Sequence, residues 1–429
     1  LATRLGLHPP RFSGSLDWLQ RGAHHLLSFE TCFALVLYSN RFKPFLPPLP
    51  VDDTLVWMLL CVPTGAFIIF RRGLYLPGLA ILGATLPFLG WAALSMAWTP
   101  SRVLAGPTLA YMIGLNTLCV VCGALVIAPE RQRVIRFLAI VFVLSLAIAL
   151  AGLYINALYG SFRFFRIDAA ATKRLYLSWG YAVTSGALVA YCVALYSEFM
   201  SRRQIVGMIM FALTFQFLLV SSARGPLLSV VVVCLLPLLL GGVNISRGRV
   251  LVRHSTLVAL LLILAAAAYI AYLLMSGESA ATLNRFGKLL DQSENPDLVE
   301  GANRFDYWAA AIDFWRQSPI IGHGVASFSV LFRGMEVSGT HPHNIVLETL
   351  NAYGLIGLVF FIIMFAYGVR YASLRRLTND HLFMCVFLLF MSRFVAAMYN
   401  TEIAEQQPLM AFLGMLGLAP PLDDEHEHV

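Results

Sequence analysis

Charge is scarce in this sequence. Of 429 residues, 12% are Asp, Glu, Lys or Arg and 59% are hydrophobic, where soluble domains carry roughly a quarter charged residues. With a mean hydropathy of +0.75, an ordinary soluble domain is excluded. Lysine is almost missing: Lys43, Lys173 and Lys288 stand beside 27 arginines. Strand-type alternation is also missing, which excludes a membrane β-barrel. There is no Walker A sequence, no dinucleotide fingerprint and no Asp-x-Asp, so neither nucleoside triphosphate hydrolysis nor metal-assisted use of a nucleotide-sugar is signalled. No cofactor, no metal ion and no nucleic-acid partner is expected; the energy of any reaction arrives with its substrate. Paired cysteines are lacking too. All seven cysteines fall in apolar segments, where the thiol behaves as a small hydrophobe. Cys119-Val-Val-Cys122 has redox or metal spacing, but it has no second pair and lies mid-helix.

What is present is a series of apolar runs of about twenty residues, the length that crosses roughly 30 Å of hydrocarbon. The fold class expected is an all-α polytopic membrane protein with about twelve transmembrane helices, near 23–40, 54–70, 77–98, 105–128, 133–154, 176–199, 205–222, 225–243, 255–275, 344–371, 382–400 and 403–419. This divides the chain into a cytoplasmic segment 1–22, helices over 23–275, a long external loop 276–343, helices over 344–419 and a cytoplasmic tail 420–429. No cleavable signal peptide is expected, because the first twenty residues are polar and no small-residue cleavage site follows the first apolar run.

Arginine placement orients the helices. Arg4, Arg11 and Arg21 precede the first, which favours a cytoplasmic N-terminus, and the loops after even-numbered helices carry Arg71 and Arg72, then Arg131, Arg133 and Arg136, then Arg202 and Arg203, then Arg247, Arg249 and Arg253, then Arg370, Arg375 and Arg376. All five are basic, as positive-inside topology demands. Two outer loops exceed expectation. One has Arg41 and Lys43 beside Pro44, Pro47, Pro48 and Pro50; the other has Arg163, Arg166, Lys173 and Arg174 interleaved with Phe162, Phe164 and Phe165. The four positive charges of the second oppose the topology rule and call for an anionic ligand. The loop 276–343 reads as two amphipathic helices, one around Leu283, Phe286, Leu289 and Leu290, the other with Phe305, Trp308, Ile312 and Trp315 and stopping at Pro319.

His341-Pro342-His343-Asn344 sits where that loop meets the next apolar run. Pro342 suits a first helical position, which predicts His343 and Asn344 in the first helical turn, with Gly354 and Gly357 on the histidine's face at roughly 20° and −40°. Arg224 follows Val220-Ser221-Ser222-Ala223 at a helix boundary, where an arginine within apolar sequence is expensive to desolvate. Guanidinium forks match phosphate oxygens, so arginines converging from several loops suit a diphosphate leaving group. His343 suits the general base, since imidazole titrates near working pH. A transporter of lipid-linked glycans would also need arginines, and would show mid-bilayer charge; only Glu30 and Arg393 are mid-helix candidates.

At these residues the sequence resembles the bacterial O-antigen ligases. His343-Asn344, nine residues, Gly354, two residues and Gly357 match their histidine motif, and Arg224-Gly225-Pro226-Leu227-Leu228 their arginine-x-x-x-leucine motif. The run Arg304, Trp308, Pro319, Gly322-x-Gly324 resembles the wider superfamily of ligases, O-antigen polymerases and oligosaccharyltransferases. The resemblance covers most of the chain from about Ser95 onwards. It implies a metal-independent, inverting glycosyltransferase of GT-C-like architecture in the Gram-negative inner membrane, with its site facing the periplasm. Its partners would be an undecaprenyl-pyrophosphate-linked glycan as donor, lipid A-core as acceptor and the surrounding membrane lipids. By motif position, His343 would be the base and Arg224 a pyrophosphate ligand. Electrostatics adds Arg163, Arg166, Lys173, Arg174, Arg304, His341 and Asn344 as substrate-binding candidates. An O-antigen polymerase or a protein O-oligosaccharyltransferase would use the same donor; the latter usually carries a longer extracytoplasmic C-terminal part, whereas only 420–429 follows the last expected helix.

Overall fold

The computed structural model describes residues 28–43, 51–159, 169–221, 223–241, 243–246, 249–276, 283, 304–399 and 402–421. Calls on Arg4, Arg11 and Arg21, the proline-rich stretch after Lys43, Arg163 and Arg166, the amphipathic stretch around Phe286 and the acidic tail lie outside the described residues.

Among the described residues, each of the twelve apolar segments expected to span contains helix. In order the helices are α1 (Phe29–Phe42), α2 (Asp53–Arg72), α3 (Leu76–Leu94), α4 (Ala105–Ile127), α5 (Arg131–Tyr159), α6 (Ala169–Tyr196), α7 (Arg202–Val220), α8 (Arg224–Leu240) and α9 (His254–Met275). They continue with α10 (Arg304–Gln317), α11 (Ser327–Arg333), α12 (Ile345–Val369), α13 (Leu374–Asn379), α14 (His381–Ala397) and α15 (Gln407–Met415). Eight helices, namely α2 to α7, α9 and α12, are long and apolar enough to cross a membrane, and α8 and α14 are shorter apolar helices. One hairpin departs from the all-helical expectation: β1 (Val243–Ser246) pairs antiparallel with β2 (Arg249–Val252), Val243 facing Val252. Its β-branched Val243, Ile245, Val250 and Val252 favour extended backbone over a segment too short and too polar to add a helix.

Burial separates the inner helices from the outer ones. Within its most apolar stretch, 78% of α6 is buried, against 17% of α2 and of α9. The outer pair shows Leu59, Phe67, Phe70, Leu261 and Met275 outward, as helices bathed in lipid do. Inside, small residues let backbones touch. A Cβ on Gly123 of α4 would stand 2.3 Å from the Ala411 carbonyl oxygen of α15, and one on Gly414 would stand 2.6 Å from that of Val120.

One end of the bundle is held by paired arginines. Arg131 grips Asp380 with both guanidinium nitrogens, at 2.8 and 2.7 Å, while Asp380 also caps α14 through the Phe383 amide. Burial pushes this carboxyl up, but the Arg131 fork and the cap outweigh it and hold the group below the usual carboxylate range. Glu30, buried, receives Arg133 at 3.0 Å and Arg136 at 2.9 Å. Glu30 is therefore not a mid-helix charge: Ser28 caps α1, placing Glu30 in its first turn beside the arginines that open α5. Arg72 donates to the Leu125 and Val126 carbonyls at the end of α4, and Arg376 to that of Leu418, where the helix dipole favours a cation.

Candidate functional site

The opposite end of the bundle carries the histidines. Asn344, not Pro342, sets the start of α12: its backbone is extended and its Oδ1 accepts from the Val346 and Leu347 amides, both at 3.0 Å. Asparagine is a strong helix cap, and it wins over the proline two positions earlier. His343 consequently stands outside the helix, with φ +55°. Left-handed backbone at a residue with a Cβ costs on the order of 1 kcal/mol or more. It aims the imidazole back across the loop, edge-on to Tyr307 of α10 at 5.7 Å between ring centroids, with the His341 ring 4.1 Å away.

The glycines of the motif do something other than bare the histidine's helix face. Gly354 has φ +64° and ψ −163°, so α12 breaks there. The chain from Pro319 to Gly324 fills the break. The His323 and Gly324 amides donate to the Asn351 and Ala352 carbonyls at 2.9 and 2.8 Å, and the Leu355 and Ile356 amides donate to the Pro319 and Ile320 carbonyls at 2.9 and 3.2 Å. These bonds satisfy backbone groups that a broken helix would otherwise bury unmade. A Cβ on Gly354 would stand 2.3 Å from the Ile320 oxygen, and one on Gly322 would stand 2.5 Å from the Ala352 carbonyl. Gly322-x-Gly324 and Gly354 are thus two halves of one backbone joint, which fixes the loop behind the histidines to α12. Trp91 of α3 seals it by donating to the Tyr353 carbonyl at 2.9 Å.

A second anchor ties the same loop to the start of α4. The Glu336 carboxylate accepts from the Arg102, Val103 and Leu104 amides at 2.6 to 3.0 Å and from Ser101 Oγ at 2.9 Å. Those bonds, led by the Arg102 amide, bring the carboxyl down to about 2. Thr99 Oγ1 adds a bond to the Val325 carbonyl at 2.6 Å.

Between these anchors and the bundle lies a cavity of about 670 Å³, lined by His341, His343 and the α12 residues Glu348 and Asn351. Arg41 of α1, Arg393 of α14, and Glu402 and Glu405 close its other walls. Glu348 is buried and accepts from the Ile403 amide at 3.2 and 3.1 Å. Arg393, 7% exposed, donates through one Nη2 to the Tyr181 carbonyl and to Ser185 Oγ, both at 2.7 Å. A π-helical stretch of α4, Tyr111–Asn116, puts Tyr111 and Leu115 on the cavity wall. A second cavity, of about 590 Å³, lies at the paired end beside Glu30, Arg133 and Arg136.

The expected site residues fall into three groups. His341 and His343 line the cavity, and Asn344 acts beneath them as the helix cap. Arg224 and Arg304 do not line it. Arg224 opens α8 next to Gly225, whose carbonyl accepts from the Tyr399 hydroxyl at 2.5 Å, and Arg304 opens α10. Tyr399 packs against the start of α8, where a Cβ on Gly225 would stand 2.7 Å from its ring. Lys173 and Arg174 fall in α6, with their side chains outside the described set, and Arg163 and Arg166 lie outside it altogether. Arg41, Arg393, Glu348, Glu402 and Glu405 were not among the expected site residues. Their signal was present for the first three, since each is a lone charge in or at the edge of an apolar run. Among the described residues no cluster of three His, Cys, Asp or Glu is placed to hold a metal ion, and all seven cysteines are free and buried.

No curated protein matches the sequence. Residues 209–362 match a family model described as O-antigen ligase; that segment runs from within α7 through Arg224, the loop bearing both histidines, and the break at Gly354. The match covers about a third of the chain and supports a relation of that segment to the O-antigen ligase superfamily of glycosyltransferase-like membrane ligases and polymerases.

Proposed function

We propose that the protein is an O-antigen ligase, which moves a glycan from undecaprenyl pyrophosphate to a sugar hydroxyl of lipid A-core at the periplasmic face of the inner membrane. On this reading all twelve apolar segments cross the membrane, the paired-arginine end is cytoplasmic and the histidine end is outside, which follows the positive-inside rule. The observation that carries the reading is the His341–His343 pair on the wall of a large cleft, inside the segment that matches the family.

The chemistry needs a base, a stabilised leaving group and no added energy source. His343 takes the proton of the acceptor hydroxyl as its oxygen attacks the anomeric carbon. The bond from that carbon to the diphosphate breaks on the opposite face, inverting the centre, and the diphosphate leaves with both electrons. Arg224 and Arg304, at the starts of α8 and α10, receive its negative charge, with Arg163, Arg166, Lys173 and Arg174 available from the segment before and within the start of α6. His341 packs against His343 and sets its orientation. Helix starts add their own positive field to those arginines.

The test is transfer by purified protein from undecaprenyl-pyrophosphate-linked glycan to lipid A-core, without nucleotide, comparing wild type with His343→Ala. Glycosylated lipid A-core from the wild type alone is the expected result, and EDTA should leave its yield unchanged. Lengthened lipid-linked glycan without any acceptor core would instead mark a polymerase. No product of either kind would reject glycosyl transfer and leave a transporter.

A further inference from the structure

Arg41 and Arg393 have no role in the reaction above, yet both face the cleft that holds the histidines. They come from helices far apart in sequence, α1 and α14, and both are held by one stretch of α6. Two positive charges are expensive to keep on one partly buried wall without something that uses them.

The surroundings hold both side chains in place without neutralising them. Arg41 donates through Nε to the Ser178 carbonyl at 3.3 Å and through Nη1 to that of Leu37, and its guanidinium lies over the Tyr38 ring at 5.2 Å. Trp179 fixes its backbone by donating to the Arg41 carbonyl at 3.0 Å. Arg393 rests on the Tyr181 carbonyl and Ser185 Oγ, over the Tyr181 ring at 5.8 Å, and its buried Nε has no partner. One stretch of α6, from Ser178 to Ser185, thus supplies neutral acceptors to both. Glu405 is the carboxylate whose field reaches Arg41. Even so, among the described residues no carboxylate oxygen comes within the 4.0 Å of an ion pair with either guanidinium.

We propose that Arg41 and Arg393 form an anion subsite that binds a phosphate ester of a substrate, separate from the leaving-group site at Arg224. Two forks from different helices suit a tetrahedral group with three free oxygens better than a planar carboxylate, which one fork already satisfies. The subsite rests on the reading of the cleft as the place where two glycolipids meet. The acceptor brings that group, as a phosphate monoester on its core sugars; each phosphate of the donor's diphosphate has only two free oxygens and belongs to the leaving-group site.

Equilibrium binding to purified protein in neutral phosphatidylcholine nanodiscs tests this without any bond being broken. The ligands are phosphorylated lipid A-core, the same lipid after phosphatase treatment, polyprenyl-pyrophosphate-linked glycan, and a polyprenyl glycan lacking the diphosphate. Wild type should prefer phosphorylated lipid A-core over its phosphatase-treated form by at least about tenfold, and Arg41→Gln and Arg393→Gln should each erase that margin while leaving the diphosphate margin of the polyprenyl ligand intact. Loss of the diphosphate margin instead would put both arginines in the leaving-group site and overturn the separate subsite. Both margins intact in both variants overturns the subsite. Unchanged affinity for the phosphate-free lipids reports an intact fold; should buried Arg393→Gln fail to fold, the half-buried Arg41→Gln decides alone. Arg393→Lys should recover only part of the margin, since it restores charge but no fork. Binding margins that persist in a protein unable to transfer glycan would reject the proposed reaction and leave the subsite standing.

Discussion

The two ends of the bundle use the same residue types to opposite effect. At one end every buried carboxylate described meets an arginine: Asp380 takes both nitrogens of Arg131, and Glu30 takes Arg133 and Arg136. At the other, Arg41 and Arg393 rest on carbonyls, a hydroxyl and aromatic rings, Glu348 on a backbone amide, and two histidines share a wall with them. An ion pair satisfied within the protein holds helices together and has little left for a ligand. A charge held by neutral dipoles keeps its field. The difference supports the proposal that one end is structural and the other the place for chemistry, which polarity alone would not have done.

The comparison breaks most visibly at His343. Replacing it with alanine should lower glycan transfer by roughly 10²- to 10⁴-fold, the range of a lost general base, while thermal stability in detergent stays within a few degrees of wild type. A variant that keeps its rate would move the chemistry away from this end.

The mirror experiment is Arg131→Ala. It leaves the buried Asp380 carboxylate with only Arg376 at 3.8 Å and the Phe383 amide, and a buried charge that loses its main partner costs up to roughly 3–5 kcal/mol. The unfolding temperature should fall sharply, whereas transfer per folded molecule at low temperature should be nearly normal. A large loss of rate in protein that is still folded would erase the contrast between the ends.

Gly354→Ala sharpens the comparison from between the two. The new Cβ would stand 2.3 Å from the Ile320 oxygen at a residue with φ +64°, so both contact and backbone oppose it, at about 1–3 kcal/mol for the strained backbone alone. Because the joint holds the histidine loop to α12, this variant should lose stability and rate together. Thermal melts and initial rates on the same preparation would separate it from the two preceding cases.

Much of this was legible in sequence. Apolar runs near 30 Å in length located the described helices, though some ends lie five to seven residues from where they were expected, and arginine placement separated the ends. Three things were not legible. Pro342 suggested a helix start that Asn344 takes, because the capping bonds of an asparagine side chain outweigh the preset φ of a proline two residues earlier. The spacing from His343 to Gly354 and Gly357 looked like one helix face, but a face exists only if the helix is continuous, and Gly354 breaks it by accepting backbone from the distant Pro319–Gly324 turn. Glu30 looked mid-helix because a cap as slight as Ser28 moves the start of α1 to Phe29. The cleft residues Arg41, Arg393 and Glu348 were visible as lone charges, but which of them share a wall depends on helix packing, which a single chain does not spell out.

The smallest expected effect concerns Glu336, which belongs to the histidine end yet behaves like the residues of the other. Its carboxylate caps the start of α4 by accepting from three amides and Ser101, and this brings its pKa from an ordinary 4.5 to about 2. A carboxyl whose folded value is depressed binds its proton more readily when unfolded, so its contribution is present above about pH 4.5 and fades as the pH falls towards 2. Amide hydrogen exchange at Arg102, Val103 and Leu104 should therefore accelerate through that window relative to the trend of neighbouring amides. Glu336→Gln should show the fast exchange already at pH 7, with rate and melting temperature changed little, because the Thr99 bond to Val325 and the joint at Gly354 still hold the loop. Exchange at these amides that ignores both pH and the substitution would show that the carboxylate does not hold the loop, and would leave the backbone joint as its anchor.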